Sequence, residues 1–482
     1  MAIIINGTAG NDTLVGFNPG DPANPDGIET INGFDGDDTL RGLGGGDTLD
    51  GGAGIDTVRY DGSVTPVVVD LGTSQGTSGD AQGDVLLNIE NVIGTIATDV
   101  LTGNDAANTI SGGAGNDTLS GADGADTLFG GSDNDTLSGG AGADDLKGGG
   151  GVDTVTYLGG GAGVQVDLQS GTGTGGDAQG DILTDIENLE GSGSDDILRG
   201  DGGSNVLDGN FGNDILIGRG GADVLNGSGG LSDTASYAGS AAVQVSLASG
   251  TGAGGDAQGD TFNDIENLAG SSFNDQLRGD GDANGLSGAD GDDTLIGAAG
   301  ADALDGGAGV DTADYGFALA GVSVDLGTGS GSEGEAAGDT LTAIENLAGS
   351  AFDDVLGGNG GANGLAGGDG NDTIRGGAGA DQIDGGNGTD AADYGDSAAG
   401  VTVNLAAGTG AGGDAAGDTL AGIETVIGSA SADTLIGSAA ADDLQGGGGG
   451  GDDTIRGGAG RTTSMAATSV STRSTTARRP PE

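Results

Sequence analysis

The chain has 482 residues, 115 of them Gly, and sets 12 basic against 75 acidic side chains, a formal net charge of −63. It contains no Cys, His or Trp and only 6 Pro. These figures exclude a disulfide scaffold, a Cys/His zinc centre, every His-dependent nucleophilic mechanism and a collagen helix, which needs a three-residue glycine period and much proline. So acidic and glycine-rich a chain buries too little apolar surface to offset its conformational entropy, so it stays disordered or folds around cations. The charge also argues against nucleic acid and anionic membrane surfaces as partners. No apolar run is long enough to span a bilayer, so no membrane span is expected. Length alone suggests about three domains, but internal repeats override that estimate.

The lead-in, residues 1–32, starts Met1-Ala-Ile-Ile-Ile-Asn6, which has neither the basic region nor the apolar length of a secretory leader. It holds one loose nine-residue row at 7–15. From residue 33 the chain falls into blocks of such rows. The clearest opens at Gly94, with Gly103, Gly112, Gly121, Gly130, Gly139 and Gly148 each starting a row. Position six reads Asp99, Asn108, Asp117, Asp126, Asp135, Asp144 and Asp153; position eight is always aliphatic. Between blocks lies an insert of 33 or 34 residues that begins at Tyr60, Tyr157, Tyr237, Tyr315 or Tyr394 and ends in an Ile-Glu motif, as at Ile186-Glu-Asn-Leu189. The Ile-Glu pairs start at 89, 186, 265, 344 and 423. The first interval exceeds the others by 18 residues, two rows, which marks a pair of rows as one structural step. The expected segments are 33–93, 94–190, 191–269, 270–348 and 349–427, each a block with its insert, then a partial block at 428–460 and a tail at 461–482.

Each row, Gly-Gly-x-Gly-x-Asp-x-aliphatic-x, reads as a tight turn and a very short strand. Glycine permits the positive φ of the turn, and the single aliphatic points inward. Two rows make one coil, and stacked coils make two parallel sheets around a narrow apolar seam. The expected fold is all-β, a parallel β-roll or β-solenoid with recurrent inserts.

Stacking also places the position-six carboxylates of successive coils beside one another, where they repel unless a cation lies between. Hard Ca2+ suits the site, since it accepts about six to eight oxygen ligands, carboxylate and backbone carbonyl alike, in irregular geometry. Mg2+ is more demanding. The acids are 65 Asp and 10 Glu, and the short carboxylate fits a tight turn. The expected metal ligands are Asp38, Asp47, Asp56, Asp117, Asp126, Asp135, Asp144, Asp153, Asp214, Asp223, Asp293, Asp302, Asp311, Asp372, Asp381, Asp390, Asp442 and Asp453, holding roughly fifteen calcium ions.

The best rows, Gly112-Gly-Ala-Gly-Asn-Asp-Thr-Leu119 and Gly367-Gly-Asp-Gly-Asn-Asp-Thr-Ile374, resemble the hemolysin-type or RTX (repeats-in-toxin) calcium-binding family, and the inserts resemble segments common in it. That resemblance implies a parallel β-roll, calcium-dependent folding, and export to the extracellular space by type I secretion machinery. In relatives with catalytic activity the chemistry sits in a separate domain, so this chain is expected not to be an enzyme. The alternatives are the repeat region of a larger toxin or hydrolase, and a self-associating cell-surface or S-layer-like adhesin.

Several departures carry further expectations. In four blocks the second row has Asn at position six (Asn108, Asn205, Asn284, Asn363), and the first row lacks the position-four glycine, with Ala97, Ser194, Phe273 and Phe352 there. Weak or absent calcium sites are expected at block starts. Phe273, Phe352 and the insert tyrosines are expected to plug the roll where the seam is interrupted. The outward Thr column at position seven is explained by strand preference. Gly72-Thr-Ser-Gln-Gly76 matches a nucleophile elbow by chance, because no His exists to activate the Ser. The tail at 461–482 has no Gly or Asp and a net charge of +3. If Arg461 to Ala467 are written in G/C-rich codons, one extra base after Gly460 restores the register, and the expectation is a frameshift that removes the natural end and export signal; a functional basic tail is the alternative.

Overall fold

The computed structural model describes residues 3–24, 27–449, 451–458, 460 and 463–465. Most of the tail lies outside them, and with it the frameshift question. Among the described residues there is no α-helix; short strands, many of three residues, are interrupted only by five single 3-10 turns. Two compact units form, residues 1–236 with 256–265 and residues 237–255 with 266–482, so the division falls inside the third insert.

Within each unit the strands alternate between two sheets, and pairing is parallel between rows 18 residues apart. In the first unit Leu119 pairs with Leu137 in one sheet, and Ile110 with Leu128 in the other. In the second, Leu365 pairs with Ile383 and Leu356 with Ile374. The 18-residue coil follows from the nine-residue period, since one row supplies each sheet in turn. Position eight is the core: Leu101, Ile110, Leu128, Leu137, Leu146 and Val155 are wholly buried. The adjacent position-seven and position-nine residues face out, as strand geometry requires. The seam is one aliphatic side chain wide per row.

The insert is an antiparallel excursion that returns to the same register. In the second insert Gln165–Asp167 pairs antiparallel with Thr172–Thr174, a 3-10 turn at Gly176–Ala178 follows, and Ile182–Thr184 then pairs in parallel with the strand Asp145–Gly150. Its Tyr157 is buried, as are Tyr60, Tyr237, Tyr315 and Tyr394. The tyrosines therefore fill the interrupted seam as expected, but the phenylalanines do not. Phe273 is 54% and Phe352 46% exposed. Both stand at position four of a turn, outside the strand whose alternate residues face the core, so the ring is carried outward.

Candidate metal centre: two rows of turn carboxylates

Each position-six Asp ends a turn just before a strand, so its backbone and side chain lie at the rim of the coil stack. The residues are buried: Asp117, Asp126 and Asp135 are each 2% exposed. A repeated link joins one coil to the next. The backbone N–H of Asp99 donates to Asp117 Oδ1 (2.7 Å), Asp117 to Asp135 (2.8 Å), and Asp135 to Asp153 (2.8 Å). On the opposite rim Asn108 donates to Asp126 (2.7 Å) and Asp126 to Asp144 (2.8 Å). The second unit repeats this, with Asp293 donating to Asp311 Oδ1 and Asp372 to Asp390 Oδ1.

That link satisfies Oδ1 and leaves the other oxygen. Oδ2 is buried and meets no protein hydrogen-bond donor in Asp38, Asp47, Asp56, Asp117, Asp126, Asp135, Asp144, Asp153, Asp214, Asp223, Asp293, Asp302, Asp311, Asp372, Asp381 and Asp390. Of the expected ligands only Asp442 and Asp453 fall outside this set. Asp442 accepts from the N–H and hydroxyl of Ser438 (both 2.8 Å), and Asp453, less buried, accepts from Asp433 N–H (3.1 Å).

A bare buried carboxylate oxygen is costly unless a cation or proton compensates it. Burial is accordingly the largest cause raising these pKa values: Asp47 is pushed up to about 8, Asp117, Asp214 and Asp223 to about 7, and Asp126, Asp135, Asp293, Asp302, Asp372 and Asp381 to about 6. Neighbouring carboxylates add to the rise, as Asp99 and Asp135 do for Asp117.

The row-opening glycine explains how tightly Oδ2 is held. A Cβ on Gly121 would collide with Asp126 Oδ2 and lie 2.5 Å from the carbonyl of Gly139, the opening glycine one coil on. Carboxylate and backbone carbonyl oxygens are thus the groups at hand, a donor set suited to a hard cation. Among the described residues no three acidic side chains cluster as a metal site, so carbonyl ligands must complete the coordination.

The inserts supply ladder members that the nine-residue pattern does not reveal. Asp47 N–H donates to Asp84 Oδ1, Asp144 to Asp181, Asp302 to Asp339 and Asp381 to Asp418. The second oxygen of each accepts from an insert tyrosine: Tyr60 OH to Asp84 (2.9 Å), Tyr157 to Asp181 (3.1 Å), Tyr315 to Asp339 (2.9 Å), Tyr394 to Asp418 (2.9 Å). On the other rim the Ile-Glu carboxylate takes the last N–H, as Asp153 donates to Glu187 Oε2 (2.8 Å). A spacing from Tyr to Asp of 24 residues in four inserts, and 23 from Tyr237 to Asp260 in the third, was the available signal for these members.

A parallel roll whose rims carry rows of buried, half-satisfied carboxylates is a β-solenoid with oxygen donors suited to a hard cation. The model of the RTX calcium-binding nonapeptide repeat matches it at residues 4–18, 26–58, 93–155, 184–230, 260–313, 357–392 and 418–463. The chain belongs to that family, and calcium is the ion its turns bind. No curated protein matches the chain.

Proposed function

We propose that this chain is a non-catalytic, secreted calcium-binding roll that folds when it meets calcium outside the cell. Type I secretion machinery, the exporter associated with its family, would be its transient partner. Low calcium inside the cell would keep the carboxylate rows repelling and the chain passable; extracellular calcium, which modules of this kind bind with dissociation constants of about 10⁻⁴–10⁻³ M, would fold it. The observation that carries this reading is the row of buried Oδ2 atoms that no protein group satisfies, beside a seam only one aliphatic side chain wide. The expected ligands are the sixteen Asp residues with such an oxygen, and roughly fifteen ions still describes their load.

The test is far-UV circular dichroism of the full chain during a calcium titration, with magnesium as control. A cooperative gain of β signal with calcium alone is expected. A fully folded spectrum in chelator, unchanged by calcium, would overturn the reading.

A further inference from the structure

The position-six turns come in two forms, and the residue at position two separates them. In an open turn that residue has positive φ: 115° at Gly113, 78° at Ala122, 72° at Ala298. Its N–H turns away, and Oδ2 of the Asp four residues later is bare. In a closed turn position two is Ser, Thr, Asn or Asp without positive φ, and its N–H donates to the position-six side chain. Thr95 donates to Asp99 Oδ2 (2.5 Å), Ser350 to Asp354 Oδ2 (2.6 Å) and Asp201 to Asn205 Oδ1 (2.9 Å). Through the regular nine-residue rows from Gly33 to Asp393 this correspondence has no exception.

The closed form occupies the first two rows of each block from Gly94 to Asp393. The second of these rows is also inverted at its coil-to-coil link. Asn91 Oδ1 accepts the N–H of Thr109, which leaves the Glu90 carbonyl free, and Asn108 Nδ2 donates to that carbonyl (2.7 Å). Asn205 with Glu187 and Asn363 with Glu345 repeat it (both 2.7 Å). Where the insert ends in Thr425 instead of Asn, the Glu424 carbonyl takes the N–H of Asp443 directly, and position six is Asp442. The Asn is therefore present where a carbonyl needs a donor, a requirement that calcium ligation would not impose.

We propose that the backbone conformation at position two decides which turns take calcium: open turns bind it, closed turns are satisfied by protein donors and exclude it. This rests on the calcium-dependent reading above. It makes each of the first four inserts, with the two rows after it, a metal-free joint, and divides the bound calcium into block-sized sets. In the regular rows position two of the open turns is Gly, Ala, Phe34, Leu43, Asn210 or Arg219, none of them β-branched; a β-branched residue cannot hold that φ without strain.

The first measurement is the number of calcium ions bound by the unaltered chain, by equilibrium dialysis with elemental analysis. A number close to that of the open turns is expected; an ion for every turn, the closed ones included, would overturn the proposal. Binding of no calcium would instead sink the functional reading. The triple variant Ala122→Thr, Ala289→Thr, Ala298→Thr is expected to bind three fewer ions, and Ala→Gly at the same positions to bind as many as the unaltered chain. Unchanged binding by a folded Thr variant would overturn the assignment. Should that variant fail to fold in calcium, opening two closed turns decides: Asp201→Gly with Asn205→Asp and Asp280→Gly with Asn284→Asp together should add two ions, and no gain overturns it.

Discussion

At the scale of single residues the chemistry is that of a carboxylate with one satisfied oxygen. Asp135 receives the N–H of Asp117 on Oδ1, while Oδ2 is buried beside the opening glycine of its own row. Burial, the main cause, holds Asp117 near 7 and Asp126 near 6, against an ordinary value of 3.8. A carboxyl raised in the fold takes up protons on folding, so its contribution to the metal-free roll is present at low pH and lost as pH rises through about 6 to 8. Calcium displaces those protons. Calcium affinity is therefore expected to fall by about tenfold or more between about pH 8 and pH 5.5, with protons released on binding; isothermal titration in buffers of different ionisation enthalpy measures both, and pH-independent binding would contradict the assignment. The tyrosine caps make a second case. Tyr157→Phe leaves Asp181 Oδ2 without its donor, and a loss of about 1–3 kcal/mol is expected in calcium-loaded denaturation. An unchanged midpoint would show that water or metal already serves that oxygen.

At the scale of the element, each strand is anchored by one side chain. Leu128 and Leu137 are wholly buried and stack on their counterparts one coil away. Leu137→Ala should cost about 2–5 kcal/mol, since neighbouring coils cannot collapse into the gap without breaking register. Denaturant titration at saturating calcium checks this; a cost below about 1 kcal/mol would mean that the bound ions, not the seam, hold the coil. The turn is less forgiving than the strand. Gly130→Ala places a Cβ against Asp135 Oδ2 and should abolish the calcium held there, leaving the chain one ion short in equilibrium dialysis.

At the scale of the whole chain, inserts punctuate the blocks of calcium-binding repeats. The block from Gly94 has five open turns, whereas those from Gly270 and Gly349 have three each among the described residues. The two additional rows of the first therefore supply two additional open turns, one on each rim. If the blocks fill as separate sets, calcium binding followed by hydrogen exchange should show protection arising block by block, with 112–156 gaining the most amides. A single transition across all blocks would indicate that the inserts transmit order instead of dividing it.

The nine-residue period sufficed to determine much of this protein. One aliphatic per row at a fixed place dictates a strand, two rows dictate a coil, and Asp at position six beside an opening glycine dictates a row of crowded carboxylates. These are local and repeated, so each copy reports the same constraint. Family resemblance added the calcium identity and the expectation of export. What the period could not determine were relations across 24 to 37 residues. That Asp84 and Asp181 continue the ladders, that the tyrosines cap them, and that Phe273 and Phe352 face outward depend on how the insert folds back, which no repeat unit encodes. Weak sites were expected at block starts from the position-six Asn residues and the missing position-four glycines. Only the tertiary structure shows that Oδ2 of Asp99 and Asp354 accepts the N–H of position two while Oδ2 of Asp117 and Asp372 does not, a difference set by a backbone angle.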